Sequence, residues 1–187
     1  MLHPLAICGY QWLAWVTYWS IASRSASRRK FTESGLSQLA HSLPLGVGMW
    51  LIFRGVGIPE LRHHLFAAQE LRWFGVAATA VGLLFSVWAR VHLGRNWSGV
   101  VTLKADHKLI RTGPYRYVRH PIYTGLLIAA IGSAAAANTF EAMIGVGLVL
   151  VAFLIKMRHE ELLLTQEFGD DYRAFKSDVF ALVPYIY

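Results

Sequence analysis

PIYTGLLIAAIGSAAAANTFEAMIGVGLVLVAFLI, residues 121–155, decides the fold. Two apolar stretches, Pro121–Ala137 and Glu141–Ile155, are separated by little more than Asn138-Thr139. Each approaches the length of about 20 apolar residues that crosses a bilayer. So short a connector leaves an antiparallel helical hairpin as the arrangement. Ala129, Ala130, Gly132, Ser133 and Ala134–Ala137 make the first helix small-surfaced, and Gly145 and Gly147 mark the second. Small residues let membrane helices approach backbone to backbone, so the stripe reads as packing.

Working outward, three more spans precede the hairpin: Pro4–Ala22, Leu39–Ile58 (broken by Pro44, with Arg54 near its far end) and Leu71–Leu93. Met1–Leu13 carries no Lys or Arg, so the first span lacks the positive start of a secretory signal and reads as a retained helix. The expectation is an all-α polytopic membrane protein. It has about five transmembrane helices and a C-terminal interfacial helix running from Leu162 to Phe175 with a break at Gly169. Residues 1–93 carry a generic transmembrane pattern and 94–187 the distinctive residues, within one membrane domain. Apolar residues make up 55% and charged residues 16%, against about 25% charged in soluble domains, and mean hydropathy is +0.40. The single cysteine, Cys8, excludes an intrachain disulfide.

The net charge of +7 raises the question of nucleic acid, but the basic residues sit in the loops between apolar blocks and no nucleic-acid motif accompanies them. Their distribution orients the chain instead. With the loops after spans one and three and the C-terminus cytoplasmic, that side collects fifteen Lys and Arg against three, Arg54, Arg62 and Arg72, opposite. The N-terminus is then expected outside and the C-terminus in the cytoplasm. Asn96-Trp97-Ser98 matches a glycosylation sequon but falls on the cytoplasmic side of this scheme. His63-His64 falls on the other side and reads as an interfacial pair.

Two polar clusters meet the cytoplasmic ends of the hairpin. In the first, residues 106–125, Gly113-Pro114 signals a turn, and Pro121 suits the first position of a helix, where its missing N–H costs nothing. Arg119 and His120 then stand at a helix N-terminus, which favours an anion. Tyr115, Tyr117 and Tyr123 add faces on which a cation can rest. In the second cluster, Lys156-Met157-Arg158-His159-Glu160-Glu161, adjacent carboxylates leave the lipid and need partners or water. Lys156 and Glu160, four apart, share a helical face. His159-Glu160 has Leu163 where a zinc-protease motif needs its second His, and no grouping has metal spacing; no metal is expected.

Taken together, the two clusters resemble the isoprenylcysteine carboxyl methyltransferase family and its prokaryotic relatives, with a weaker likeness to phospholipid methyltransferases. The residues that carry the likeness are His107–Ile110, Gly113–Tyr115, Arg119–Gly125, Glu160–Leu164, Phe168–Tyr172 and Val183–Ile186. The resemblance implies S-adenosylmethionine as methyl donor, lined by His107, Lys108, Leu109, Ile110, Tyr115, His120, Pro121, Ile122, Tyr123 and Glu160, with Glu161 as the alternative carboxylate. It also implies a basic residue facing the acceptor one turn before the Glu pair. Lys156 stands there where Arg is commoner, and Arg158 is the alternative. Phe175 stands where the family often has Tyr. The implied partners are a lipophilic or lipidated acceptor and membrane lipid. An NADPH-dependent membrane reductase of sterol-reductase-like architecture and a non-catalytic membrane subunit stay open as alternatives.

Overall fold

A computed structural model describes residues 3–25, 34–55, 57, 61, 65–66, 69–94 and 109–184. Among these, six α-helices follow in order: α1 Pro4–Ala22, α2 Gly35–Phe53, α3 Gln69–Leu93, α4 Pro121–Ala137, α5 Phe140–Phe168 and α6 Asp170–Asp178. His63-His64 and the sequon at Asn96 lie outside the described residues.

Local chemistry sets most helix ends. Pro4 and Pro121 occupy first-turn positions of α1 and α4. Ser34 and Thr139 cap α2 and α5, their side chains accepting from the N–H of Ser37 and Ala142 at 3.3 Å each. Asn138 closes α4 in the left-handed region (φ 58°), and its buried amide bonds both Phe66 N–H and Phe66 C=O, at 3.0 and 2.7 Å. One asparagine therefore turns the chain between α4 and α5 and ties down the segment entering α3.

α2, α3 and α5 are long and apolar enough to cross a membrane, and α4 is a shorter apolar helix of 17 residues. Pro44 does not break α2, which runs through it. In a bundle, neighbouring groups and small local adjustments can satisfy the carbonyl that a proline leaves free. α5 does not end at Ile155 but continues to Phe168, so the expected interfacial helix is partly α5 itself. Its 29 residues span about 44 Å, well beyond a hydrocarbon layer of about 30 Å. The positive φ of Gly169 (54°) ends α5 and starts α6.

Backbone contact organises the bundle. α3 packs most extensively on α4, and α2 on α5. A Cβ on Gly82 would sit 2.4 Å from the Gly125 carbonyl, and one on Gly132 would sit 2.6 Å from that of Gly75. Gly145 meets Gly48 in the same way, at 2.6 Å. α1 lies across α3 and α4, where Trp12 and Trp15 donate from their indole N–H groups to Ser133 (3.0 Å) and Ser86 (2.8 Å). Such interhelical bonds contribute about 0.6 kcal/mol each in membranes. Helices from residues 1–93 thus interleave with helices from residues 94–187.

Replacing Gly82 with Ala should cost about 1–3 kcal/mol, because backbone rather than a flexible side chain occupies the space. Gly147, with nothing within 4 Å of a Cβ, should accept Ala without loss. Thermal unfolding of the two variants in detergent checks the contrast.

Candidate functional site

The α4 N-terminus, the far end of α5 and α6 meet at one end of the bundle. Residues 109–112 lead into a 3-10 turn, Gly113–Arg116, whose Gly113 has φ 59° and would bring a Cβ to 2.6 Å from the His92 ring. His92 is in turn within 2.8 Å of the Thr112 hydroxyl. The turn delivers Val118 to a parallel bridge with Phe180. Arg119 N–H donates to Phe180 C=O (2.8 Å), and His120 N–H donates to Ala181 C=O (3.0 Å). Thr124, one turn into α4, donates its hydroxyl to Leu182 C=O at 2.7 Å. The segment after α6 is therefore strapped along the entry to α4.

Within this frame α4 and α5 bring five polar side chains together. Tyr123 donates to Glu160 Oε1 at 2.6 Å. The His120 ring spans both carboxylates, with Nδ1 3.6 Å from Glu160 Oε2 and Nε2 3.3 Å from Glu161 Oε1. Tyr123 stacks between His120 and Phe153, at 5.6 and 5.0 Å between ring centroids. The Lys156 ammonium lies over the Tyr123 ring, 5.8 Å from its centroid. Phe153, Lys156 and Glu160 fall on one helical face. Arg158, about 200° round the helix from Lys156, is exposed.

Glu161 faces different company. Arg119 donates to its Oε1 from both Nε and Nη2 at 2.9 Å, and Lys176 Nζ stands 2.6 Å from its Oε2. Arg119 also donates through Nη1 to the carbonyls of Lys176 (3.1 Å) and Val179, satisfying the C-terminal end of α6 where a cation is favoured. Arg111 grips the other end, donating to Asp171 C=O and lying over the Phe175 ring at 5.4 Å. A cavity of about 240 Å³ opens beside Lys176, lined by Arg119, Glu161, Ser177 and Asp178 among others.

The remaining expected site residues have other immediate neighbours. Tyr115 is buried, stacks on His92 at 6.4 Å and aims its hydroxyl at the Ala89 carbonyl, 3.5 Å away. Pro121 and Ile122 are buried in the first turn of α4, and Leu109 and Ile110 are half-buried, Ile110 against the core. His107 and Lys108 lie outside the described residues. Sequence reasoning did not select Arg119, Lys176 or Tyr172 as site residues. Arg119 stands out in the sequence at the entry to α4 and Tyr172 in the Phe168–Tyr172 stretch, whereas Lys176 has only the charge pattern of a short amphipathic helix. Among the described residues no group of three His, Cys, Asp or Glu could hold a metal ion.

Tyr172 is 1% exposed, and its hydroxyl finds no partner among the described residues. Burial, with the Glu161 carboxylate adding to it, raises this phenol above its ordinary value, and the Arg119 guanidinium only partly offsets the rise. Burial and then the Glu160 charge push Tyr115 up likewise, against the opposing Arg90. A ligand with hydroxyl or amino donors and a cationic centre fits these surroundings: a carboxylate for the donors and for the positive charge, and an orphaned hydroxyl besides.

The sequence model described as the isoprenylcysteine carboxyl methyltransferase (ICMT) family matches residues 75–166, which contain α4, most of α3 and α5, and the Tyr123–Glu160 pair. The chain belongs to the isoprenylcysteine carboxyl methyltransferase family. A rice (Oryza sativa subsp. indica) relative named probable protein-S-isoprenylcysteine O-methyltransferase is 32% identical over 68% of this chain and 66% of its own length. The fission yeast (Schizosaccharomyces pombe) protein-S-isoprenylcysteine O-methyltransferase is 36% identical over 52% of this chain and 43% of its own. This family member therefore spans somewhat under two thirds of its rice relative. The solved structure of the eukaryotic intramembrane Ras methyltransferase ICMT shares the fold, with a TM-score of 0.56 and 21% identity over 81% of this chain and 52% of that one.

Folded Tyr115 and Tyr172 hold their protons more tightly than an unfolded Tyr, whose ordinary value is 10.0. Stability should therefore be full below pH 10 and fall as pH rises beyond it. Tyr172→Phe should be at least as stable at pH 7, since it removes an orphaned hydroxyl, and should lose stability less steeply above pH 10. Thermal unfolding in detergent from pH 7 to pH 11 reads both effects.

Proposed function

We propose that the chain is an S-adenosylmethionine-dependent methyltransferase acting on a lipophilic, lipid-linked carboxylate from the cytoplasmic side of the membrane. One observation carries the reading: Tyr123 hydrogen-bonds Glu160 at its hydroxyl and carries the Lys156 ammonium over its ring. A carboxylate suited to the donor molecule and a cation suited to an anionic acceptor are thus separated by one aromatic ring.

When bound, S-adenosylmethionine supplies a methyl group already activated on a sulfonium. The chain's residues have the rest of the work. Glu160, with His120 beside it, accepts hydrogen bonds from the donor's hydroxyl or amino groups. The Glu160 carboxylate, fixed by the Tyr123 hydroxyl, also places a negative charge near its positive centre. Lys156 orients the acceptor carboxylate, which is already ionised at neutral pH and needs no base. Phe153 and Ile122, both buried, help keep water from the methyl's path. Leu109, Ile110 and Tyr115 shape the wall toward α3, and His107 and Lys108 belong to the same proposed lining.

The acceptor class follows from the names of the relatives, which refer to isoprenylcysteine, and from the cation. The topology in this reading keeps the N-terminus outside and the C-terminus in the cytoplasm, with the charged donor entering from water. The lipophilic acceptor arrives from the bilayer.

Calorimetric titration of the detergent-solubilised protein with S-adenosylhomocysteine, with NADPH as comparator, tests the reading. The thioether should bind saturably and NADPH should not. Glu160→Ala should abolish binding while the protein still inserts into membranes, and Tyr123→Phe should weaken it about tenfold, as expected for loss of a hydrogen bond to a charged group. NADPH binding alone, or unchanged affinity in Glu160→Ala, would contradict it.

A further inference from the structure

The two carboxylates of Glu160-Glu161 are linked by one imidazole. His120 hydrogen-bonds Glu161 through Nε2 (3.3 Å) and holds Nδ1 3.6 Å from Glu160, so a shift of Glu161 moves the imidazole that stands beside Glu160. Glu161 is held by opposite edges. Its Oε1 takes Arg119 and His120, and its Oε2 takes Lys176. Without Lys176 the carboxylate is held at Oε1 only, and its last bond, a soft and roughly two-fold torsion, lets it tilt about that anchor and shift against His120. Arg119 meets Oε1 alone, through Nε and Nη2, while its Nη1 is committed to the α6 carbonyls of Lys176 and Val179, so it does not replace Lys176 at Oε2. Lys176 is itself about half exposed (51%), while Glu161 is 12% and Arg119 9% exposed. An accessible residue on α6 therefore sets the geometry of an enclosed group on α5.

We propose that Lys176 is a positioning residue for the donor site: by clamping Glu161 it fixes the His120 imidazole, and through His120 the carboxylate of Glu160. The assignment rests on the methyltransferase reading and deepens it. It divides the adjacent carboxylates between two tasks, with Glu160 facing the ligand and Glu161 facing the strap. Lys176 touches neither donor nor acceptor and acts only through Glu161.

The experiment compares S-adenosylhomocysteine affinity in the full chain, Lys176→Met, Lys176→Arg, Glu161→Gln and the double variant Lys176→Met/Glu161→Gln, each with its thermal midpoint in detergent. Lys176→Met should bind roughly tenfold more weakly with little change in midpoint, and Lys176→Arg should restore most of the affinity. The double variant should bind no more weakly than the worse single one, because both changes break the same contact. Wild-type affinity in Lys176→Met, a loss that arginine fails to restore, or simple additivity would each overturn the assignment. If the unmodified chain binds no S-adenosylhomocysteine, the methyltransferase reading fails and takes this assignment with it. If the unmodified chain binds and Lys176→Met binds equally well, only the assignment fails.

Discussion

A helix longer than the bilayer is thick must do something with the turns that emerge, and in α5 those turns carry two adjacent carboxylates. The excess, about 14 Å, follows from 29 helical residues set against a hydrocarbon layer of about 30 Å. Charges at that depth persist only with partners or water. Glu161 obtains Arg119 from the entry to α4 and Lys176 from α6. The partners draw three separate segments to one point. The parallel bridge at Val118 and Phe180 and the Thr124 bond to Leu182 close the same junction from the backbone side. The site is thus a consequence of satisfying a carboxylate at the membrane edge.

The deeper support is the pairing of α3 with α4. Gly75, Gly82, Gly125 and Gly132 bring two backbones into contact and leave no room for a side chain between them. The α4 N-terminus is therefore held in a fixed place relative to α3, and Tyr123 with it. Family membership is consistent with this division of labour, since the matched residues 75–166 hold the glycine contacts and the Tyr123–Glu160 pair. Lys176 and the strap lie beyond that match.

Some of this was legible from residues alone. Pro121 and the Asn138-Thr139 turn bounded α4, and Pro4 opened α1, because proline and a left-handed asparagine act locally. The stripe of small residues announced a close contact but not its partner. Gly75 and Gly82 sit seven apart in an otherwise ordinary apolar run, and only tertiary structure pairs them with α4. Lipid-like composition stops at Ile155 while helical hydrogen bonding runs on to Phe168, and the expected break falls at Gly169. At the site, Tyr123 and His120 from one stretch meet Glu160 from another, a proximity that the family resemblance implied. Tyr115 turns toward Ala89, and Arg158 points away from Lys156. The Arg119–Glu161–Lys176 cluster was not legible, since its members lie up to 57 residues apart and no local pattern encodes their meeting.

Transfer of a labelled methyl group from S-adenosylmethionine to a prenylated cysteine with a free carboxyl, catalysed by the protein reconstituted in lipid vesicles, tests the central claim most directly. The account predicts label in a solvent-extractable product that alkali releases as methanol, which is the signature of a methyl ester. Protein that binds S-adenosylhomocysteine yet transfers no label to this acid, nor to lipophilic thiols, phenols or extracted membrane lipid, would contradict it.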